Sequence, residues 1–223
     1  MSSAADISDL TGAILASHPV ANSFAAWVET VTKTAVPSSI SSSVAATKTV
    51  FLKPKGGKLS TPILVVALAD SPVGNNAIAK HLGAKEARVA ADDLTRETFG
   101  VEKLDVTPFV LKNVADKSTL TVLIDEALLA DADRHLVFRG FAADASLYVA
   151  ASKLKAFLEA QGVRYTSVNL VEICGAPGTA SPPAPKKVAE KPAAKAAAAD
   201  DGKEILIGIT AKKEEDFPSW YQQ

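Results

Sequence analysis

The sequence predicts a mixed α/β domain, and three observations carry that prediction. Short runs of β-branched or large apolar residues recur at 49–52, 63–68, 120–124, 136–138 and 147–149. Segments with helical spacing, bounded by capping residues and glycines, interleave with them. After Cys174 the composition breaks sharply, which places the domain at 1–173. A chain of 223 residues with 48% hydrophobic content buries one sizeable core and leaves an appendage.

Taken in order, residues 7–27 carry apolar side chains at Leu10, Ile14 and Leu15 and, past the His18-Pro19 break, at Val20, Phe24 and Trp27. Those intervals of three and four predict two short helices. Residues 37–46 are mostly serine and small apolar types, so a loop is expected. The runs 49–52 and 63–68 flank Lys55-Gly56-Gly57-Lys58, a turn signal, and predict a hairpin with Lys48 at the head of its first strand. Asn75 or Asn76 caps a helix that ends at Leu82 before Gly83, and 88–90 is a short strand candidate. Asp92 or Asp93 caps a helix holding Leu94 and Phe99, stopped by Gly100. Strands at 120–124, 136–138 and 147–149 follow; Ser152 then caps a helix burying Leu154, Phe157 and Leu158, closed by Gly162, and 166–173 supplies a last strand.

Residues 174–202 are rich in Ala, Pro and Lys, a composition that removes helix donors, buries little and predicts a flexible linker. The counts of 24 Lys and Arg and 25 Asp and Glu leave a net charge of −1, which excludes a protein that grips long nucleic acid through its phosphates; any contact with nucleic acid is local. One cysteine forms no internal disulfide, and three scattered histidines offer no metal-ligand spacing. Neither a targeting segment nor a bilayer-spanning apolar run is present, so a cytosolic setting without a membrane is expected.

On residue patterns alone no catalytic motif stands out: there is no nucleophile elbow, no phosphate-binding glycine loop and no close pair of histidine and carboxylate. What exists is a set of pocket-building segments. Thr47-Lys48-Thr49-Val50-Phe51-Leu52-Lys53, Ile63-Leu64-Val65-Val66-Ala67-Leu68, Asn76-Ala77-Ile78-Ala79-Lys80-His81-Leu82-Gly83-Ala84-Lys85, Asp105-Val106-Thr107-Pro108-Phe109 and Asp144-Ala145-Ser146-Leu147 follow one another in that order. In this order they resemble the YbaK/ProX aminoacyl-tRNA deacylases, the editing domains that remove wrong amino acids from tRNA, in the version attached to prolyl-tRNA synthetases. The resemblance covers about residues 45–162. A weaker one, at Ile205-Leu206-Ile207-Gly208-Ile209 and in the acidic, aromatic stretch to Tyr221, is to the start of the catalytic core of eukaryotic-type prolyl-tRNA synthetases at 203–223.

The resemblance implies a mixed, partly barrel-like β-sheet with surrounding helices. It implies hydrolysis of the ester of mischarged tRNA(Pro), with alanine as the first candidate amino acid and cysteine or serine as near alternatives. No cofactor is implied, and no metal. The implied partners are the acceptor end of tRNA(Pro), the catalytic domains of the same chain and a multi-synthetase complex, all in the cytoplasm.

Lys48 matches the lysine on which editing most depends in the family, where its ammonium neutralises a terminal phosphate or steadies the ester and its ribose. Thr47 and Lys53 are its companions, Lys53 in reach of RNA phosphate. Leu104-Asp105-Val106-Thr107-Pro108 matches the family's Gly-x-x-x-Pro loop, which sets amides and a hydroxyl around the aminoacyl carbonyl, except that leucine replaces the glycine. Thr107 and Pro108 keep their places. Arg139 and Gly140 stand where relatives carry His and Pro, and Ala143 where an asparagine is expected; Asp144 and Ser146 are left to order water or orient Lys48. His18-Pro19 matches an early His-Pro pair.

Each of these residues also has an ordinary role, as a strand-end lysine facing water, a Thr-Pro turn or an aspartate capping a turn. The departures at 104, 139 and 143 motivate a competing function, a non-catalytic module that binds tRNA or docks a synthetase complex. A free-standing deacylase acting in trans is disfavoured by the linker and the synthetase-like end.

Overall fold

The computed structural model describes residues 12–175; the expectations for 1–11, for most of the linker and for 203–223 lie outside them. Strand β2 (Val44–Gly57) is the spine of the fold, because different stretches of it pair with three other strands. Residues 44–46 run parallel to β6 (His135–Arg139), 47–52 antiparallel to β3 (Ile63–Leu68), and 52–57 antiparallel to β4 (Ala84–Val89). With β1 (Ile14–Ser17), β5 (Thr121–Asp125), β7 (Ala145–Ala150) and β8 (Tyr165–Val168), the described residues form an eight-stranded mixed sheet in the order β1-β7-β6-β2-β3-β5-β8, with β4 beside β2. The mixed α/β class expected from the sequence is the one observed.

Period-two alternation sorts the sheet's side chains into separate cores. On β3, Leu64 and Val66 enter one core with Phe51, Phe109, Phe138 and Phe157, while Ile63, Val65 and Ala67 enter another with Leu52, Ile78 and Leu123. β3 is therefore apolar without interruption because both of its faces are covered. A third cluster packs Trp27 and Val31 of helix α1 (Phe24–Lys33) against Val137 and Tyr148 of β6 and β7.

Several local expectations are corrected. The first of the two helices expected in 7–27 is strand β1 where described: its exposure alternates, and it pairs antiparallel with β7, Ile14 opposite Tyr148. The edge of β7 satisfies backbone groups that so short a helix would leave open. The second lies later, as α1, where Ser23 Oγ accepts from the Ala26 amide at 3.2 Å. Lys55-Gly56-Gly57 is strand rather than turn. Gly57, at φ 93°, faces Ala84 of β4 so closely that a Cβ would lie 2.3 Å from the Gly83 carbonyl oxygen, so the glycine permits an approach of two backbones. The hairpin closes instead through residues 58–62.

Helices α2 (Asn75–His81), α3 (Asp92–Phe99) and α5 (Ala151–Ala160) appear where capping residues predicted them. However, Gly74, Ala91 and Ala150 occupy the cap positions, and the polar residues fall within the first turns, where Asp92 and Asp93 complement the helix dipole. The strand expected over 166–173 stops at Val168. Asn169 accepts from the Val171 and Glu172 amides at 3.1 and 3.2 Å and starts helix α6 (Leu170–Cys174). Between β5 and β6 lies a helix that the sequence reading missed, α4 (Glu126–Leu129), and 3₁₀ turns at Lys103–Asp105, Pro108–Asn113 and Lys117–Thr119 were missed likewise.

Candidate functional site

Where the first half of β2 passes α1, α3 and the 103–107 loop, an apolar cleft of about 280 Å³ opens. Phe24, Trp27, Phe51, Val106 and Phe138 line it, together with Thr47, Lys48, Thr95, Leu104, Thr107 and Arg139. The structure thus gathers three of the seven sequence-predicted site residues, Lys48, Thr47 and Thr107, at one cavity. Pro108 and Ser146 are buried outside its lining, and Lys53 and Asp144 are exposed away from it.

Thr47 and Lys48 are adjacent on a strand and so leave it on opposite faces. Thr47 is buried, and its hydroxyl donates to the Val137 carbonyl at 2.8 Å, tying β2 to β6. Lys48 lies opposite Ala67, which belongs to the second core. Its ammonium donates to the carbonyl oxygens of Ala69 (3.0 Å) and Ser71, in the loop after β3. Ser71 Oγ in turn donates to Asp125 Oδ2, whose other oxygen accepts from the Ala127 amide at 3.3 Å and caps α4. Burial pushes the Lys48 ammonium below the usual lysine range, and the charges of Asp70 and Asp125 partly restore it. Two of its three N–H donors are committed to this loop, which leaves one for an incoming oxygen.

Ser71 and Asp125 were not singled out in the sequence. The signal for Asp125 was present, as an aspartate ending an apolar strand run before Glu-Ala-Leu-Leu; nothing local marked Ser71.

The 103–107 loop needs no glycine at 104. No non-glycine residue among those described has a positive φ, and Leu104 sits in an ordinary 3₁₀ turn, 44% exposed at the cleft. Thr107 precedes Pro108, the first residue of the next 3₁₀ turn, and its hydroxyl is buried without a partner. Arg139, at the end of β6, is buried too, with Asp105 Oδ1 3.7 Å from its Nε. Burial raises the Asp105 carboxyl above its usual range, Arg139 pulls it down and Glu102 pushes it up.

Ser146 is buried, and its Oγ accepts from Trp27 Nε1 at 2.9 Å, holding α1 against β7. Ser146→Ala leaves that indole donor unpaired, and a loss of about 1–3 kcal/mol in urea unfolding is expected. Asp144 is exposed at the turn between β6 and β7, where its carbonyl accepts from the His18 amide at 2.8 Å. Lys53 is exposed opposite Arg88 of β4. Among the described residues no group of three or more His, Cys, Asp or Glu side chains is arranged to hold a metal, and no helix is long and apolar enough to cross a membrane.

Residues 25–157 match the model of the aminoacyl-tRNA editing domain. The chain is 35% identical over 215 residues to a Schizosaccharomyces pombe protein named "putative proline–tRNA ligase", covering 94% of this chain and 28% of that protein. It is 34% identical over 191 residues to a Saccharomyces cerevisiae protein of the same description, covering 81% and 26%. The chain therefore spans little more than a quarter of the length of these relatives. The crystal structure of a "putative trans-editing enzyme for prolyl tRNA synthetase" matches with a TM-score of 0.51 at 15% identity, covering 76% of this chain and 98% of the other, a likeness of fold.

Proposed function

The chain belongs to the aminoacyl-tRNA editing domain family, and from that premise we propose that its cleft hydrolyses the ester of mischarged tRNA(Pro), clearing alanine. The observation that carries this reading is the apolar cleft beside Lys48, lined by aromatic rings and edged by polar groups with unused hydrogen-bonding capacity. The physical need is discrimination. A proline-charging site excludes a smaller side chain poorly, since one methylene is worth only about 1–3 kcal/mol, whereas a second, smaller pocket admits alanine and rejects proline by size.

In the proposed reaction a water oxygen bonds to the carbonyl carbon, the bond to the ribose oxygen breaks, and the water's proton passes to that oxygen. Free amino acid and an intact 3′ end leave. The free donor of Lys48 steadies the phosphate or ribose of the terminal nucleotide, and the loop that holds its other two donors aims it. We extend the proposal to the setting: a cytoplasmic domain acting in cis beside the catalytic domains of a prolyl-tRNA synthetase, with the acceptor end of tRNA(Pro) as partner and no cofactor. The names and greater lengths of the two relatives support it, and the net charge of −1 fits a local contact with the tRNA end.

Single-turnover assays with Ala-, Pro-, Cys- and Ser-tRNA(Pro), protein in excess, test this. Release of alanine in preference to proline is expected. A folded chain that binds tRNA(Pro) but frees no amino acid supports the competing non-catalytic module, whose motivation in the structure is Leu104 projecting at the cleft mouth.

A further inference from the structure

Among the described residues Arg139 is the one arginine in the wall of the cleft, and its ion pair with Asp105 leaves donors unused. Its backbone is pinned. Arg139 pairs with Ser146 across the β6–β7 ladder, and the next residue, Gly140, donates to the Ala145 carbonyl at 2.8 Å, where a Cβ would meet that oxygen at 2.8 Å. The side chain is 9% exposed and lines both the apolar cleft and the adjoining polar groove beside Asp105 and Phe141. Nε and Nη1 are sealed from solvent without a hydrogen-bond partner. The nearest carboxylate oxygen, 3.7 Å from Nε, is too far for a hydrogen bond.

A buried guanidinium with idle donors is costly to the fold unless a ligand uses them. In the same cleft the hydroxyl of Thr107 is buried and idle as well, while most of the lining is apolar. In such a water-poor site a fixed cation stabilises developing negative charge far more strongly than it would in solution.

We infer that Arg139, with Thr107 in the same cleft, receives the carbonyl oxygen of the scissile aminoacyl ester and stabilises the oxyanion formed when water attacks. This rests on the deacylation reading above and adds the group for the carbonyl oxygen, which that reading leaves unassigned. As the water oxygen bonds to the carbonyl carbon, the π pair moves onto the carbonyl oxygen, facing Arg139. When the intermediate collapses the C=O bond re-forms, the ribose oxygen leaves, and it takes the proton given up by the water. A terminal phosphate would satisfy the same donors, but it is anionic before and after the transition state, so the two sources separate kinetically.

The test is single-turnover hydrolysis of Ala-tRNA(Pro) by Arg139→Gln, Arg139→Lys and Asp105→Asn, with thermal unfolding of each. Arg139→Gln is expected to lower the saturating rate about 100-fold, with the half-saturating concentration within about threefold of wild type. Arg139→Lys should recover part of the rate, and Asp105→Asn should stay within about tenfold of wild type. A raised half-saturating concentration at unchanged rate would assign Arg139 to phosphate and overturn the inference. Equal rate losses in Arg139→Gln and Asp105→Asn, with matching drops in Tm, would make the pair a structural latch and overturn it too. If the wild-type chain hydrolyses none of the esters, the deacylation reading fails on its own. Binding of a phosphonate-linked alanyl-adenosine analogue, whose tetrahedral anion mimics the oxyanion, then decides the site: about tenfold weaker binding to Arg139→Gln upholds the contact with the developing charge, and equal binding removes it.

Discussion

Lys48→Ala is expected to lower the saturating rate of alanine release from Ala-tRNA(Pro) by about 10²- to 10³-fold, while the chain stays folded. The side chain gives the site a positive charge on a stem anchored at two carbonyl oxygens, and alanine removes the charge and the anchor together. Its protonation also sets a pH limit. Burial places the ammonium below the usual lysine range, so the rate should fall on the alkaline side at a lower pH than a free lysine would dictate. Asp125→Asn removes one of the negative charges that pull this group back up, and the alkaline limb should then move further towards neutrality. Stability carries the opposite sign. The folded chain yields the Lys48 proton more readily than the unfolded chain, so the penalty for burying the charge is fully present at lower pH and is relieved as pH rises through the folded value towards the unfolded one. A Lys48→Ala chain that clears alanine at the wild-type rate would sink the proposed role, and a pH profile unmoved by Asp125→Asn would sink the electrostatic account of it.

Phe109→Ala should be the most damaging single change to the fold among those considered. The ring is fully buried and meets Phe138 and Phe157 edge-on, at centroid distances of 5.1 and 5.2 Å. Truncation removes the transfer free energy of the ring, leaves a cavity and breaks both aromatic contacts, about 3–5 kcal/mol in all. Phe109 follows Thr107 and Pro108 directly, so the same cavity loosens the turn that brings the Thr107 hydroxyl to the cleft. Equilibrium urea denaturation measures the loss, and a change below about 1 kcal/mol would show that this part of the core re-packs freely.

Most elements of the fold were legible because their signals are local. The apolar run at 63–68 reads as a buried strand, and Gly100, at φ 72°, ends α3 as its position suggested. Two of the misread elements depend on distant partners. Residues 14–17 have helical spacing but are a strand because β7 offers an edge, and Gly56-Gly57 looks like a turn but is a strand because β4 lies against it. The site divides in the same way. Thr47, Lys48 and Thr107 come together at one cleft, yet their sequence positions do not show that the Thr47 hydroxyl is spent on Val137 or that Ser71 and Asp125 stand behind Lys48.

By itself, then, the sequence determined the α/β class, the family and the strand on which the central lysine rides, because composition, periodicity and ordered motifs are properties of neighbours along the chain. Only the tertiary structure decided which polar groups are already satisfied and which are not. Ser146 is occupied by Trp27 across 119 residues, while Arg139 and Thr107 keep buried donors idle in the cleft. Hydrogen-bond satisfaction and desolvation belong to three-dimensional surroundings, and spacing along a chain does not encode them.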